Sequence, residues 1–251
     1  SQHEDALSLI RAIRERSAEL PGFPVDAFVY DEVFSLEALG RREDALALCD
    51  AFLADAPGDY RMRTEKARVL RSFGADVESQ VLCDALLLED PEDPFVLSLR
   101  SGARYNLGDF AGSLEDSERI LALAPDDLQA RLSRGYARLQ LGAFREAEAD
   151  FDQVLQKDPQ MLDARIGKGK VLSFQDRFHE ALILFQRLLK EYPDHPAILY
   201  EVADVMFLMG YFDDARRHCR RCLDKEPGHS GALVLLGMMA RYTSAHVNVI
   251  C

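Results

Sequence analysis

LGAFREAEADFDQVLQKDP, residues 141–159, has a Gly two places before a Phe and ends in Asp-Pro. The same layout occurs in LGDFAGSLEDSERILALAP at 107–125 and, with Asp176 in place of the Gly, in QDRFHEALILFQRLLKEYP at 175–193. Successive windows begin 34 residues apart. A period of about 20 to 50 residues is typical of a solenoid, in which each repeat packs on the next.

Single positions repeat with the same period over most of the chain. Leucine occupies positions 53, 87, 121, 155, 189 and 223, and proline occupies 57, 91, 125, 159, 193 and 227. Glycine occupies 40, 74, 108, 142 and 210, and phenylalanine occupies 110, 144, 178 and 212. A small residue recurs as Ala67, Ser101, Gly135, Gly169, Ala203 and Gly237. The repeat therefore extends well beyond the three quoted windows.

Each repeat contains two runs with the apolar spacing of a helix. The first is LQARLSRGYARLQ at 128–140 and the second is FREAEADFDQVLQK at 144–157. Gly142 is placed to end the first helix, because Gly accepts a left-handed backbone, and Pro159 blocks continuation of the second. One such pair cannot bury its apolar faces alone, so the sequence predicts stacked helix hairpins.

Small residue, Gly, aromatic, Ala, aromatic and Pro at these places resemble the tetratricopeptide repeat family. The resemblance implies an all-α fold, a right-handed α-solenoid of antiparallel helix pairs. It implies six full repeats, at residues 26–59, 60–93, 94–127, 128–161, 162–195 and 196–229. The chain departs from the family pattern in having no Trp, and in having Arg42 and Asp76 where later repeats have Phe.

Segments on either side of the repeats complete the predicted organisation. Residues 1–25 should form an N-terminal helix and a linker that contains LPGFP at 20–24. Residues 230–251 should form a capping helix, SGALVLLGMMARY at 230–242, and a tail without helical period. Within the repeats, basic residues recur as Lys66, Arg100, Arg134 and Lys168. They predict ion pairs between helices, for example with Asp116 or Asp150.

The resemblance also implies a concave groove lined by the first helices, and proteins of this family mostly bind other proteins. At the places that face this groove in the family, the chain has aromatic and basic residues: Tyr30, Phe34, Arg61, Arg68, Arg71, Phe95, Tyr105, Tyr136, Lys170, Phe174, Tyr200 and Phe207. Aromatic side chains are favoured at interfaces, and arginines bind carboxylates. Two other readings stay open: the aromatics pack within the molecule or between copies of it, and the arginines form a solvated face.

Charge and motifs argue against several functions. A net charge of −13 disfavours binding to nucleic acid or an anionic membrane. The sequence has no phosphate-binding Gly loop, nucleophile elbow or HExxH helix, so we expect no enzyme activity and no cofactor. Cys219 and Cys222 occupy core places of the repeat, which argues against a metal site. No repeat has the Lys and Asn by which some family members hold the C-terminal carboxylate of heat-shock chaperones.

We therefore predict a non-catalytic adaptor or scaffold that binds an extended peptide or a helix of a partner protein. Peptides and helices that contain acidic residues are among the expected ligands. Tyr105, Tyr136 and Phe174 are the expected anchors, tuned by Arg68 and Arg71. The alternatives are a self-assembling structural scaffold, which would be a homo-oligomer, and the repeat domain of a larger multidomain protein. The lack of a signal-like start and the helical placement of several cysteines predict a cytoplasmic location.

Overall fold

The computed structural model describes the backbone of residues 2–17 and 27–247, and side chains of residues 3–13 and 28–241. Within these ranges the chain is all-α, with no strand. The helices are α1 (Gln2–Ser17), α2 (Ala27–Ala38), α3 (Arg42–Asp55), α4 (Tyr60–Ser72), α5 (Asp76–Glu89), α6 (Pro94–Asn106), α7 (Phe110–Leu123), α8 (Leu128–Gln140), α9 (Phe144–Lys157), α10 (Leu162–Phe174), α11 (Phe178–Glu191), α12 (Pro196–Leu208), α13 (Phe212–Lys225) and α14 (Ser230–Val247).

The helix boundaries follow the 34-residue period of the sequence. First helices begin at residues 60, 94, 128, 162 and 196, and second helices begin at 42, 76, 110, 144, 178 and 212. The turns within the repeats have a positive φ at Gly40, Gly74, Gly108, Gly142 and Gly210, and at Asp176, where φ is 60°. A residue with left-handed backbone therefore follows each of these first helices, as predicted. This holds also in the repeat that has Asp176 in place of Gly.

Aspartates at the repeat boundaries begin several of the first helices. The carboxylate of Asp59 accepts a hydrogen bond from Met62 N–H at 2.7 Å, and that of Asp93 accepts one from Phe95 N–H at 2.9 Å. Asp127 accepts one from Ala130 N–H at 2.9 Å. Each carboxylate satisfies an amide that has no partner within its helix, which is the role of an N-cap.

The chain forms two compact units, residues 1–137 and 138–251. In the first unit, α3 packs between α2 and α4, and α5 packs between α4 and α6. Neighbouring first helices also touch, α2 with α4 and α4 with α6, whereas α3, α5 and α7 have no such contact with one another among the described residues. The side of this unit formed by α2, α4, α6 and α8 is called the first-helix face below.

The second unit has a core built on close contact between glycines and aromatic rings. The rings of Phe151 and Phe185 are fully buried. A Cβ at Gly167 would lie 2.6 Å from the Phe151 ring, and one at Gly169 would lie 2.5 Å from the Phe185 ring. The sequence predicted a small residue at one position of each first helix. At Gly169 the reason is that an aromatic ring occupies the space that a side chain would need.

Ion pairs link consecutive repeats at the predicted basic positions. Lys66 Nζ lies 2.5 Å from Asp50, Arg100 Nη1 lies 2.7 Å from Asp84, and Lys168 Nζ lies 2.5 Å from Asp152. Each carboxylate precedes its partner by 16 residues, on the second helix of the previous repeat. Arg100 also binds Asp116 of its own repeat, at 2.6 Å. Ion pairs at these basic positions therefore join consecutive repeats as well as the two helices of one repeat.

The last helix is longer than the sequence pattern indicated. We expected it to end at residue 242, but α14 continues to Val247. Residues 243–247 contain neither Gly nor Pro, so nothing in them stops a helix once it has formed. The predicted linker around 20–24 and residues 248–251 lie outside the described residues. No helix in the described ranges is both long and apolar enough to cross a membrane.

Candidate protein-binding surface

In the first unit, eight of the twelve candidate residues lie on the helices of the first-helix face: Tyr30 and Phe34 on α2, Arg61, Arg68 and Arg71 on α4, Phe95 and Tyr105 on α6, and Tyr136 on α8. Phe34 is 56% exposed and Phe95 is 48% exposed, which is unusual for large apolar side chains. The Tyr side chains are partly buried. The face therefore presents aromatic surface without being a closed core.

Two of the three candidate arginines are already engaged by groups of the chain. The Arg68 guanidinium binds the carboxylates of Glu37 and Glu65, the second at 2.8 Å. Arg61 is exposed, and its guanidinium carbon lies 3.9 Å from the centroid of the Tyr30 ring, in cation–π geometry. The Tyr30 hydroxyl donates to Asp59 at 3.3 Å, and burial, followed by the Asp59 charge, raises the pKa of Tyr30.

Arg71 differs from these two arginines. Its side chain makes no ion pair or hydrogen bond with any residue in the described ranges. It lies across the backbone of α6, because a Cβ at Gly102 would be 2.5 Å from Arg71 Nη1. Only a residue without a side chain at position 102 leaves room for the guanidinium in this position.

Tyr105 and Tyr136 stand beside Arg71 around an open cavity of about 260 Å³. Their ring centroids are 6.4 Å apart and the planes meet at 71°, an edge-to-face arrangement. Tyr105 also packs edge-to-face on Phe110, at 5.3 Å. The cavity is lined by Arg71, Ser101, Gly102, Tyr105, Asn106, Ser113, Ser133 and Tyr136, and it is called the Arg71 pocket below.

The floor of the Arg71 pocket is polar. The Ser101 hydroxyl lies 3.0 Å from the hydroxyls of both Ser113 and Ser117, and all three residues are buried. Position 117 corresponds to Phe151 and Phe185 in the next two repeats. Sequence reasoning missed Ser101 and Ser113, which line the pocket, and Ser117, which lies next to Ser101. The sequence did contain a signal for them. A serine at the repeat position that holds Phe in the next two repeats leaves space next to the first helix.

The second unit carries the other four candidates on α10 and α12. Lys170 Nζ lies 2.9 Å from the Glu201 carboxylate, and the Phe174 ring, 46% exposed, lies 6.3 Å from Phe144. The Tyr200 ring packs on His229 at 4.9 Å, and Phe207 packs on Phe212 at 5.5 Å. These contacts hold the side chains within the unit, and Phe174 keeps the most open surface of the four.

A titratable carboxyl group lies next to these residues. Burial, and then the charge of Glu201, raise the pKa of Asp204 to about 6, while the charge of Lys170 opposes the rise. Above this pKa the charged Asp204 carboxylate lies beside the ion pair of Lys170 and Glu201 in a partly buried group. Such an arrangement costs stability, because one negative charge has no counter-charge of its own.

The cysteines lie where the repeat pattern predicted core residues. Cys49, Cys83, Cys219 and Cys222 are fully buried and reduced. Burial raises the pKa of Cys49, Cys83 and Cys219 to about 11, which disfavours the thiolate form that reacts or binds metals. Among the described residues no cluster of three or more His, Cys, Asp or Glu side chains is arranged to hold a metal ion.

Comparisons with known proteins agree with this architecture. Two family models, each described as tetratricopeptide repeat, match residues 109–166 and 138–203. No curated protein gives a significant match. A solved tetratricopeptide repeat protein from Parabacteroides merdae ATCC 43184 has a TM-score of 0.68 and 22% identity, over 85% of this chain and 87% of that one.

Two further solved structures are similar in fold. A thermophilic tetratricopeptide repeat protein from Thermus thermophilus has a TM-score of 0.62 and 20% identity, over 72% of this chain and 97% of that one. MamA from Desulfovibrio magneticus RS-1, residues 41 to the end, has a TM-score of 0.51 and 16% identity, over 69% and 98% of the two chains. The family models that match residues 109–203, the 34-residue period and the paired helices show that the chain has the fold of a tetratricopeptide repeat solenoid.

Proposed function

We propose that the chain is a non-catalytic protein-interaction adaptor. It binds an extended segment or a helix of a partner protein on the first-helix face. The observation that carries the proposal is the open Arg71 pocket between the rings of Tyr105 and Tyr136. Tyr side chains bury large apolar area at a small cost in side-chain entropy, and their hydroxyls can still form hydrogen bonds.

The rest of the first-helix face supports the same function. Phe34 and Phe95 expose about half of their surfaces on α2 and α6, to either side of the α4 arginines. An aromatic, partly basic surface differs from the acidic average of the chain, and aromatic and Arg residues dominate the energetics of protein interfaces. The partner is therefore a protein segment that can cover these rings.

Affinity capture from the source lysate tests the proposal. Wild type is compared with the Tyr105→Ala/Tyr136→Ala variant and with a control, Val81→Ala/Leu88→Ala, which changes two exposed apolar residues of α5. We expect a partner that the wild type and the control retain and the tyrosine variant loses. If folded samples of all three retain the same proteins, the face around Tyr105 and Tyr136 is not the working surface.

A second candidate function, self-assembly, is favoured by α14. Leu233, Val234 and Met238 on this helix are 50%, 62% and 42% exposed, and Val234 and Met238, four residues apart, share one helix face. Exposed apolar faces of this kind often mediate association between copies of a protein. Light scattering over a range of concentrations tests it. We expect dimers or larger species for the wild type and monomers for Val234→Asp/Met238→Asp; a wild type that stays monomeric rejects this candidate.

A further inference from the structure

The Arg71 pocket has a charge opposite to that of the chain as a whole. None of the eight side chains that line it is acidic, although the chain contains 43 Asp and Glu against 30 Lys and Arg. The one ionised group on its wall is the Arg71 guanidinium. The pocket is therefore a small positive site in an acidic protein.

Three other arginines of α4 and α6 have their charge met by carboxylates. Arg63 binds Glu89 at 2.6 Å, Arg68 binds Glu37 and Glu65, and Arg100 binds Asp116. Arg61 and Arg71 have no such group in the described ranges, but Arg61 lies over the Tyr30 ring, and only Arg71 of the two lines the pocket. A guanidinium has five N–H donors in a planar arrangement that matches a carboxylate. A guanidinium that has no carboxylate partner and lies next to a cavity is therefore suited to bind a carboxylate of another molecule.

The surroundings of Arg71 limit where that carboxylate can go. The guanidinium is held against Gly102, and the rings of Tyr105 and Tyr136 stand on the cavity wall. The hydroxyl of Ser133 and the polar floor at Ser101 add uncharged hydrogen-bonding groups. A volume of about 260 Å³ admits one side chain with its carboxylate and a few waters.

We propose that the Arg71 pocket receives the carboxylate of a Glu or Asp side chain from the bound protein segment. This inference rests on the proposed function, because it names the chemistry that the partner presents at that site. The carboxylate pairs with Arg71, while neighbouring atoms of the segment pack on Tyr105 and Tyr136. A charge-assisted pair of this kind adds specificity for position as well as affinity.

Selection from a phage-displayed library of random heptapeptides tests the proposal. Wild-type protein should enrich peptides with Glu or Asp at one internal position. Synthetic peptides then compare the acidic residue with its amide, and we expect the amide to bind roughly ten- to hundredfold more weakly. On Arg71→Met the acidic peptide and its amide should bind equally, because the group that distinguishes them is gone.

Two further variants separate charge from geometry. Arg61→Met removes the same charge from α4 outside the pocket and should keep the preference for the acidic peptide. Gly102→Ala keeps Arg71 but places a methyl group only 2.5 Å from the present position of Nη1, so the guanidinium must shift; it should reduce the preference without changing the net charge. Circular dichroism and urea unfolding confirm that each variant is folded.

The outcomes distinguish this inference from the proposed function. Peptides that lose binding on Tyr105→Ala/Tyr136→Ala but show no acidic preference overturn the inference and leave the adaptor function standing. A preference for a free C-terminal carboxylate, or Arg71-dependent binding of inorganic phosphate alone, also overturns it. Enrichment of no peptide, or of peptides indifferent to both tyrosines, contradicts the inference and the proposed peptide-binding face together.

Discussion

Arg100 and Asp116 form a two-point ion pair between α6 and α7, with Nη2 2.6 Å from Oδ1 and Nε 3.0 Å from Oδ2. Asp116 is fully buried, and Arg104 Nη1 also donates to it at 3.0 Å. A buried ion pair fixes the register of two helices, because either partner left alone would be a buried charge without a counter-charge.

Removal of the Asp116 carboxylate should therefore destabilise the fold. We expect Asp116→Ala to lower the free energy of unfolding by about 3–5 kcal/mol, measured by urea denaturation. The matched control is Asp84→Asn, which removes the outer partner of Arg100. The side chain of Asp84 is 47% exposed, so its loss should cost about 1 kcal/mol or less. Equal losses for the two variants would contradict the assignment.

The glycine of the first helix should be required only where an aromatic ring lies against it. Gly169 and Gly237 occupy the same repeat place, but a Cβ at Gly169 would lie 2.5 Å from the Phe185 ring, whereas one at Gly237 meets nothing within 4 Å. We expect Gly169→Ala to destabilise by about 1–3 kcal/mol through overpacking. Gly237→Ala should be neutral or stabilising by up to about 1 kcal/mol, because Ala favours the helix. Thermal and urea unfolding measure both.

The turn after each first helix should respond oppositely at Gly142 and Asp176. Both have a positive φ, 78° and 60°, and this backbone conformation destabilises the fold when the residue has a Cβ. We expect Gly142→Ala to destabilise by about 1 kcal/mol, and Asp176→Gly to stabilise by about 0.5 kcal/mol. Gly58→Ala is the control, because Gly58 lacks a positive φ and an added Cβ meets nothing. A loss at Gly58 as large as that at Gly142 would contradict the role assigned to φ.

Asp204 should make stability depend on pH. Its pKa is raised from 3.8 to about 6, so the folded state binds a proton more tightly than the unfolded chain does. The charged carboxylate therefore destabilises the fold above about pH 6, and this cost declines as the pH falls toward 3.8. We expect Asp204→Asn to stabilise the protein at about pH 8 by on the order of 1–2 kcal/mol, and by clearly less at about pH 5.

Urea unfolding of both proteins across this pH range measures the effect. The control is Asp163→Asn, a carboxyl group on the first turn of α10. The gain of Asp204→Asn is compared with the effect of this control at each pH. A gain for Asp204→Asn that grows as the pH falls would contradict the sign of the predicted linkage.

Helix positions and their turns could be predicted because they depend on groups that are close in sequence. A left-handed residue such as Gly142 or Asp176 ends a helix through its own backbone, and the apolar spacing of 144–157 defines a helix face without knowledge of its neighbour. A period of 34 residues repeats this local information, so a single repeat predicts the others. The candidate residues on the first helices came from this period together with the groove-facing places that the family resemblance implies.

Whether a candidate residue is already paired within the chain or open to a ligand depended on packing between helices. Arg68 and Arg71 look alike in sequence, three residues apart on α4. Yet Glu37 and Glu65 lie against the first, and Gly102 and an open cavity lie against the second. Periodicity says which helix face a residue occupies, whereas the Glu37 partner of Arg68 comes from the previous repeat, and the cavity beside Arg71 is formed by residues of α4, α6, α7 and α8. These features are set by contacts between residues distant in sequence, so only the tertiary structure could separate an occupied arginine from an open one.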